Sequence, residues 1–397
     1  MRIEAPRYTE RFGAVRINEV QKVLELDSGR ARKMSLHENI AVRKIEEDTL
    51  KDFEEKLAIV IPVRNEKLKL FEGVISGVPH ECLTIVISNS DTEKVDRFRM
   101  EKDTLKQYCH FTRRNALIIH QKDPVVARAL EAGGYTDILD EDGLVRNGKA
   151  EGMLLAMMIS MMVKKQFIGF IDADNFFPGS VWEYVRCYAA GFSMAQSQYS
   201  MVRVVWRYKP KASAGMHFRK WGRVSEITNK CMNSLISVKT GFDTEIIKTG
   251  NAGEHAISLK LAEILPYASG YAVEPQEFVA IFEGFGGVLP LSHQTGAKQG
   301  VEVFQIETRN PHLHEDRGTD HLQGMLVPGL GAIYHSKLCD SDTKQLVINE
   351  LAHQKAIQLE EEPTKPRTYR PPKVLNLKKF AAVVEEHMAS YYALNGQ

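Results

Sequence analysis

The chain has 397 residues, of which 43% are hydrophobic, and 52 Lys and Arg against 51 Asp and Glu give a formal net charge of +1. That length suits one large α/β domain with additions, or two to three domains, and it buries an ample core without staples. The near-neutral balance argues against a nucleic-acid binder living on a global basic field.

Residues 1–50 are charged and show no clear period, so they read as an N-terminal extension wrapping the main domain. The opening MRIEAPRYTERFG lacks the apolar stretch of a secretory leader, and none is expected. A pattern then begins. Residues 57–63 (LAIVIPV), 83–88 (LTIVIS), 116–120 (ALIIH) and 167–171 (FIGFI) are short apolar runs rich in β-branched residues. Such runs suit strands buried on both faces of a parallel sheet. The intervening segments 67–78, 92–108 and 150–163 are long enough for crossover helices, which predicts a doubly wound α/β fold. The longest apolar run, 153–163 (MLLAMMISMMV), spans only about 16 Å as a helix, half a bilayer core. It reads as a buried helix, and no membrane contact is expected.

The middle of the chain is less legible. Residues 256–265 carry a helical period, whereas 284–290 (GFGGVLP) and 324–331 (GMLVPGLG) read as Gly- and Pro-rich loops. In the tail, Ser341-Asp342 offers N-cap chemistry for a helix to about residue 362. A second helix is predicted over 379–394, after a stiff linker at 363–372 that carries four prolines. The last helix is a plausible dimer element, or it packs back on its own domain. Cys82, Cys109, Cys187, Cys231 and Cys339 are scattered and odd in number, the pattern of reduced thiols in a cytoplasmic protein.

Ligands in doubly wound sheets bind outside the carboxyl ends of the strands. After the fourth strand come Asp172-Ala173-Asp174-Asn175. If strand geometry persists, Asp172 and Asp174 point the same way, and two such charges need a cation between them, with hard oxygen ligands suiting Mg²⁺ or Mn²⁺. Phosphatases of the haloacid-dehalogenase type place DxDx[TV] early in the chain; here Phe176 fills the fifth position and the motif lies late. The other home of such a motif is the nucleotide-sugar glycosyltransferases of the GT-A type, where a metal bridges the donor diphosphate. Three further features fit that home. The first strand runs into Pro62-Val63-Arg64-Asn65-Glu66, the second into Ser88-Asn89-Ser90-Asp91, and Asn147-Gly148-Lys149-Ala150 opens the Met-rich helix. Lys149 thus sits beside a helix N-terminus, a natural phosphate site. The run from Gly143 to Lys149 also matches GxxxxGK, yet Ala150 replaces the Ser or Thr of a P-loop.

Further on, His312 and His314 lie two apart in a polar loop, where either one extends the ligand set of the carboxylates toward Mn²⁺, Co²⁺ or Zn²⁺. Between Tyr184 and Ser225 there is no acid but eight basic residues, Arg186, Arg203, Arg207, Lys209, Lys211, Arg219, Lys220 and Arg223. They either attract an anion or pair with acids elsewhere. Thr249-Gly250-Asn251 then offers glycine and small polar groups that let backbone N–H groups approach an anion.

In order and spacing, IPVRNE (61–66), RNGKAEGM (146–153), DADN (172–175), TGNAGEHA (249–256) and RNPHLHE (309–315) resemble the mannosyl-3-phosphoglycerate synthase family. The resemblance implies a GT-A fold with a Rossmann-like, mostly parallel sheet, an acceptor-binding subdomain and a helical C-terminal tail. It implies transfer of mannose from GDP-mannose to 3-phosphoglycerate with retention, in a cytoplasmic route to the compatible solute mannosylglycerate. Pro62, Arg64, Glu66, Asn89, Lys149, Asp172 and Ala173 would surround the donor, and Asp174 with His312 or His314 would hold Mg²⁺ or a substitute. Thr249, Gly250, Asn251 and Arg309 would take the acceptor, and Asp172, Asp174 and Lys149 carry the catalysis. The implied division is 1–50 extension, 51–270 nucleotide-sugar domain, 271–340 acceptor and metal-loop region, and 341–397 tail, with a homodimer open. A glucosyl-3-phosphoglycerate synthase is the nearest alternative. A sugar-phosphate nucleotidyltransferase expects a Gly-rich basic signature where IPVRNE has one Arg and no Gly.

Overall fold

The structure is a computed structural model that describes residues 1–26, 41–175, 177–206, 222–313 and 318–393. The first fifty residues give β1 (Arg2–Glu4), β2 (Thr9–Phe12), β3 (Val15–Glu25), β4 (Val42–Lys44) and α1 (Glu47–Glu54). The next stretch alternates as predicted. It runs through β5 (Leu57–Val63), α2 (Leu68–Gly77), β6 (Leu83–Ser88), α3 (Arg97–Thr112), β7 (Ala116–His120), α4 (Pro124–Ala132), α5 (Lys149–Met162) and β8 (Phe167–Phe170). Then follow α6 (Pro178–Met194), β9 (Tyr199–Trp206), α7 (Arg223–Thr240), β10 (His255–Ser258), the single turn α8 (Leu259–Ala262) and β11 (Tyr267–Ala268). After these come α9 (Val273–Phe285), α10 (Gln294–Gln299), β12 (Val301–Thr308) and α11 (Gly318–Tyr334). The tail holds α12 (Ser341–His353), β13 (Thr368–Tyr369), α13 (Leu377–Glu385) and α14 (Met388–Tyr391).

Among the described residues, eleven strands form one sheet in the order β4-β1-β3-β12-β9-β10-β8-β5-β6-β7, with β2 on β3. β8, β5, β6 and β7 are mutually parallel, as are β3, β12 and β9. β10 is antiparallel to both β8 and β9, so the two parallel blocks point the same way. All their carboxyl ends therefore meet one edge of the sheet, and the loop before β10 arrives at that same edge. α1, α2, α3 and α6 seal one face, and α4, α5, α7, α9 and the C-terminal helices seal the other. α5 is buried from Ala150 to Ser160, which explains a run that is apolar all round. No helix of the described residues is long and apolar enough to cross a membrane, and all five cysteines are free.

Several expectations change. The N-terminal segment does not wrap the domain: Val15 and Ile17 of β3 are buried while β3 pairs with the central strand β12, so the segment belongs to the sheet. The sheet likewise runs across residue 270, since β12 lies between β3 and β9. Residues 255–258 form a strand rather than a helix because a gap between β8 and β9 buries all four, and ladder pairing overrides the local period. The glycines at 324–331 lie inside α11, which contains Pro328; Gly331 lets the segment at Thr364 press against the helix. α12 stops at His353, and the last helix breaks into α13 and α14. Of the linker 363–372, Tyr369 is buried and β13 pairs with β11. α13 buries Phe380 and Val384 and packs on α4, so this helix folds back on its own chain rather than offering its apolar face to a partner.

A Cβ at position 331 would lie 2.6 Å from the Thr364 carbonyl oxygen. Gly331→Ala is expected to cost about 1–3 kcal/mol of stability through this overpacking, read as a lower denaturation midpoint. An unchanged midpoint would show that the 364 segment is not seated there.

Candidate active site

The donor end is built from the turns after β5 and β6. Asn65 adopts φ 58°, and its N–H donates to Ser90 Oγ at 2.7 Å while its Oδ1 accepts from Asp91 N at 2.9 Å. Arg97 Nη2 donates to the Glu66 carbonyl at 2.5 Å, and Asn89 N to the Val63 carbonyl at 2.8 Å. Beneath them the buried Glu101 accepts the hydroxyls of Ser88 and Ser90, both at 2.6 Å. Burial pushes its carboxyl pKa up, while those hydroxyls and Arg97 favour the charge. Pro62, Arg64, Glu66 and Asn89 thus lie on two adjacent strand ends, with Arg64 exposed and the other three half-buried.

Lys149 opens α5 at the end of β7. Gln121 fixes this entry by donating to the carbonyls of Arg146, at 2.5 Å, and Gly148, at 3.1 Å. The Lys149 ammonium lies 2.7 Å from Asp172 Oδ1 and 2.8 Å from Glu274 Oε1 on α9. Desolvation alone would push its pKa down, but the two carboxylates outweigh it and hold the ammonium well above the usual lysine range. The head of α5 is shaped further by Glu151, which accepts Tyr369 Oη at 2.5 Å and Gly270 N at 3.4 Å. A Cβ on Gly148 would run into the Glu151 carboxylate, which would have to move off its place beside Tyr369 and Gly270. The ligand feature at the head of α5 is thus the lysine itself, with a carboxylate already beside its first turn.

β8 ends at Phe170, so the alternation that would align Asp172 with Asp174 does not persist. Asp172 turns to Lys149, and Ala173 and Asp174 form a turn. Asn175 Nδ2 donates to the Asp172 carbonyl at 2.9 Å and to Glu254 Oε1 at 3.1 Å. The same Glu254 oxygen lies 3.7 Å from His312 Nδ1, which also meets Tyr184 Oη at 3.3 Å. Trp206 stacks on the His312 ring at 4.4 Å. The loop that carries His312 is docked on α6: Glu183 accepts from the N–H groups of Arg309, at 2.6 Å, and Asn310, at 2.8 Å, and Ser180 donates to the Pro311 carbonyl.

This donor set fits a divalent cation. A carboxylate beside Nδ1 is the arrangement that orients a ligating imidazole for coordination through Nε2, and Asn175 Oδ1 is buried with no hydrogen-bond partner among the described residues. Among those residues no group of three His, Cys, Asp or Glu side chains can cage a cation alone. His314 lies outside the described residues.

The 249–254 loop packs beside Asp172, where a Cβ on Gly253 would lie 2.7 Å from Asp172 Oδ2. Thr249 Oγ1 donates to Gln305 Oε1 at 2.8 Å, and Gly250 N to Asn229 Oδ1 at 2.7 Å. Thr249 and Asn251 line a small cleft with Lys248, Trp206, Gly222 and Ser225, the last two at the head of α7. Arg309 does not line it; the guanidinium is exposed and donates to the Leu24 carbonyl at 2.6 Å. Of the basic stretch, Arg186 pairs with Glu47 and Glu54, and the fully buried Arg203 pairs with Glu277. Those two are structural cations. Arg207, Lys209, Lys211, Arg219 and Lys220, and the Arg223 side chain, lie outside the described residues. Sequence reasoning missed Glu254, Glu274, Glu183 and Ser225; a hint was available only for Glu274, an acid inside the apolar run VEPQEFVAIF.

A family model described as mannosyl-3-phosphoglycerate synthase (osmo_MPGsynth) matches residues 5–384. A mannosyl-3-phosphoglycerate synthase of Pyrococcus furiosus is 44% identical over 389 residues, 98% of each chain. One of Aeropyrum pernix is 38% identical over 393 residues, 99% of each. Among solved structures, glucosyl-3-phosphoglycerate synthase of Mycobacterium tuberculosis with Mn²⁺, UDP and glucosyl-3-phosphoglycerate gives a TM-score of 0.49 at 18% identity, covering 75% of this chain and 88% of that one. On the family match and the near-full-length identities, the chain belongs to the mannosyl-3-phosphoglycerate synthase family of hexosyltransferases.

Proposed function

We propose that the chain transfers mannose from GDP-mannose to the hydroxyl of 3-phosphoglycerate, releasing GDP and retaining the anomeric configuration, in cytoplasmic mannosylglycerate synthesis. The observation that carries this reading is the Lys149 ammonium, fixed at the strand edge between Asp172 and Glu274 and next to the Gly253 loop. Pro62, Arg64, Glu66 and Asn89 surround the nucleoside, Lys149 meets the diphosphate, and Asp172 and Ala173 face the sugar. Asp174 and His312 would hold Mg²⁺, with Mn²⁺, Co²⁺ or Zn²⁺ as substitutes. Once bound, the cation neutralises charge on the leaving diphosphate.

We assign the acceptor's phosphate to the head of α7, where the cleft has room for about one water and would have to widen to admit it. There Lys248 supplies charge, Asn251 and the nine-tenths buried Ser225 supply polar groups, and the helix dipole favours an anion. In the reaction the acceptor oxygen bonds to the anomeric carbon as the bond to the diphosphate oxygen breaks. Lys149 stabilises the departing charge, and the acceptor proton passes to the leaving diphosphate. Asp172 is a poor candidate for a covalent nucleophile, because its carboxylate is already engaged by the Lys149 ammonium. The front-face route follows, and a mannosyl adduct trapped on any Asp or Glu by mass spectrometry would overturn it.

A panel of GDP- and UDP-sugars with Mg²⁺, with and without 3-phosphoglycerate, tests the assignment. GDP release is expected only from GDP-mannose with the acceptor present; acceptor-independent release or a preference for UDP-glucose refutes the substrate assignment. Asp174→Ala is expected to lower kcat by about 10²–10³ with an unchanged circular dichroism spectrum, and wild-type turnover would remove Asp174 from the metal site. Gly253→Ala pushes a methyl against Asp172 and should lower kcat about tenfold, and a wild-type kcat would show that this loop does not abut the reacting groups.

A further inference from the structure

Behind the 249–254 loop lies a cluster of charges that the mechanism above does not use. Arg203, His255 and Glu277 are each fully buried. Glu277 Oε2 accepts from Arg203 Nη1 at 2.9 Å, and Glu277 Oε1 lies 3.2 Å from His255 Nε2. The carboxylate therefore joins two side chains from the neighbouring strands β9 and β10.

Both of those side chains reach back to the loop. Arg203 Nε donates to the Thr249 carbonyl at 2.8 Å, and His255 Nδ1 meets the carbonyls of Ala252 at 3.0 Å and Gly253 at 3.1 Å. Arg203 Nη2 also donates to the Glu274 carbonyl at 3.1 Å, tying the cluster to the turn of α9 that grips Lys149. Burial pushes the Glu277 carboxyl pKa up, and its contacts with His255 and Arg203 more than offset it, keeping the group below its usual range. Three loop carbonyls are thus held by two donors, and one carboxylate orients both donors.

We propose that Glu277 is a positioning residue for the acceptor: through Arg203 and His255 it sets the conformation of the 249–253 backbone, and with it the side of the cleft formed by Thr249 and Asn251. The inference rests on the reading of that cleft as the acceptor's. Arg203 and His255 act through the loop and touch no substrate themselves. A carboxylate in this place has no ladder or cap to complete, and its partners end on the loop that approaches the reacting groups.

Kinetics with 3-phosphoglycerate, and titration of GDP with Mg²⁺ onto the folded protein, test this. Glu277→Gln strands a buried cation and can lower the thermal midpoint, so Arg203→Met combined with Glu277→Gln, which removes both charges together, is measured beside it. In whichever variants fold, the KM for 3-phosphoglycerate should rise about tenfold while GDP affinity stays within about twofold, because Lys149, Asp172 and Glu274 are not themselves substituted and the Lys149 ion pairs remain. A lowered midpoint with the acceptor KM unchanged would make the cluster purely structural and overturn the proposal, as would loss of GDP affinity in equal measure. Asn251→Ala serves as the control. If it leaves the acceptor KM unchanged, the acceptor reading fails and the inference with it. If it raises KM while the double variant does not, the inference alone fails.

Discussion

The Lys149 ammonium between Asp172 and Glu274 is the interaction on which the rest of the site depends. One positive charge faces two negative ones, so the described triad is net negative where an anionic nucleotide-sugar must dock. Partial burial strengthens each of these terms over its value in water. On the proposed reading, lysine by itself does not make this edge attractive to a diphosphate, and a divalent cation held by Asp174 and His312 would supply the missing positive charge. The triad's role is positional: it fixes where the ammonium stands before any ligand arrives, which lowers the reorganisation needed when charge develops on the leaving group. A lysine on a free rotamer would have to be ordered at that moment instead.

The reversed strand β10 makes this arrangement reachable. In a wholly parallel sheet, a strand at its position would send its preceding loop to the far edge. Because β10 runs against β8 and β9, its amino end lies where their carboxyl ends lie. Gly253 and Glu254 thereby arrive beside Asp172 and Asn175, and His255 begins the strand under them. β12, drawn from much later in the chain, brings His312 to the same edge by running parallel to β9. One antiparallel insertion thus gathers the 249–254 loop and the His312 loop at the edge where the carboxyl ends of the parallel strands meet.

What the sequence revealed follows from how each part is stabilised. β5, β6, β7 and β8 were legible because strands buried on both faces must be continuously apolar, and Lys149 and Asp172 because they adjoin such elements. β10 was not legible. Its four residues take strand geometry from two neighbours far away in sequence, and HAIS with the following LKLA fits a helical period equally well. α11 was obscured by glycines that serve close packing, as Gly331 does against the 364 segment, rather than chain reversal. The basic stretch misled most. Its apparent field dissolves at Arg186 and Arg203 because their acids lie on α1 and α9, and composition carries no record of such pairing.

The same logic explains why the supporting acids escaped notice. Each functional loop ends at the rim of the sheet, where ladder hydrogen bonds run out, and each is held by a buried glutamate from a helix. Glu101 of α3 holds the donor turn through Ser88 and Ser90, and Glu183 of α6 holds the N–H groups of Arg309 and Asn310. Glu277 of α9 holds the 249–253 loop through Arg203 and His255. A carboxylate suits this place because it accepts several bonds at once, and charge-assisted bonds are stronger than neutral ones in a low-dielectric interior. Its own desolvation is the cost, seen in the upward push that burial gives the carboxyls of Glu101 and Glu183. That cost is offset only when every oxygen is met, so the acid is fixed by three-dimensional geometry and leaves no spacing rule behind. Rigid loops at the edge of this sheet depend on charges spent inside it, which is how a chain of net charge +1 can have a strongly charged interior around its reaction centre.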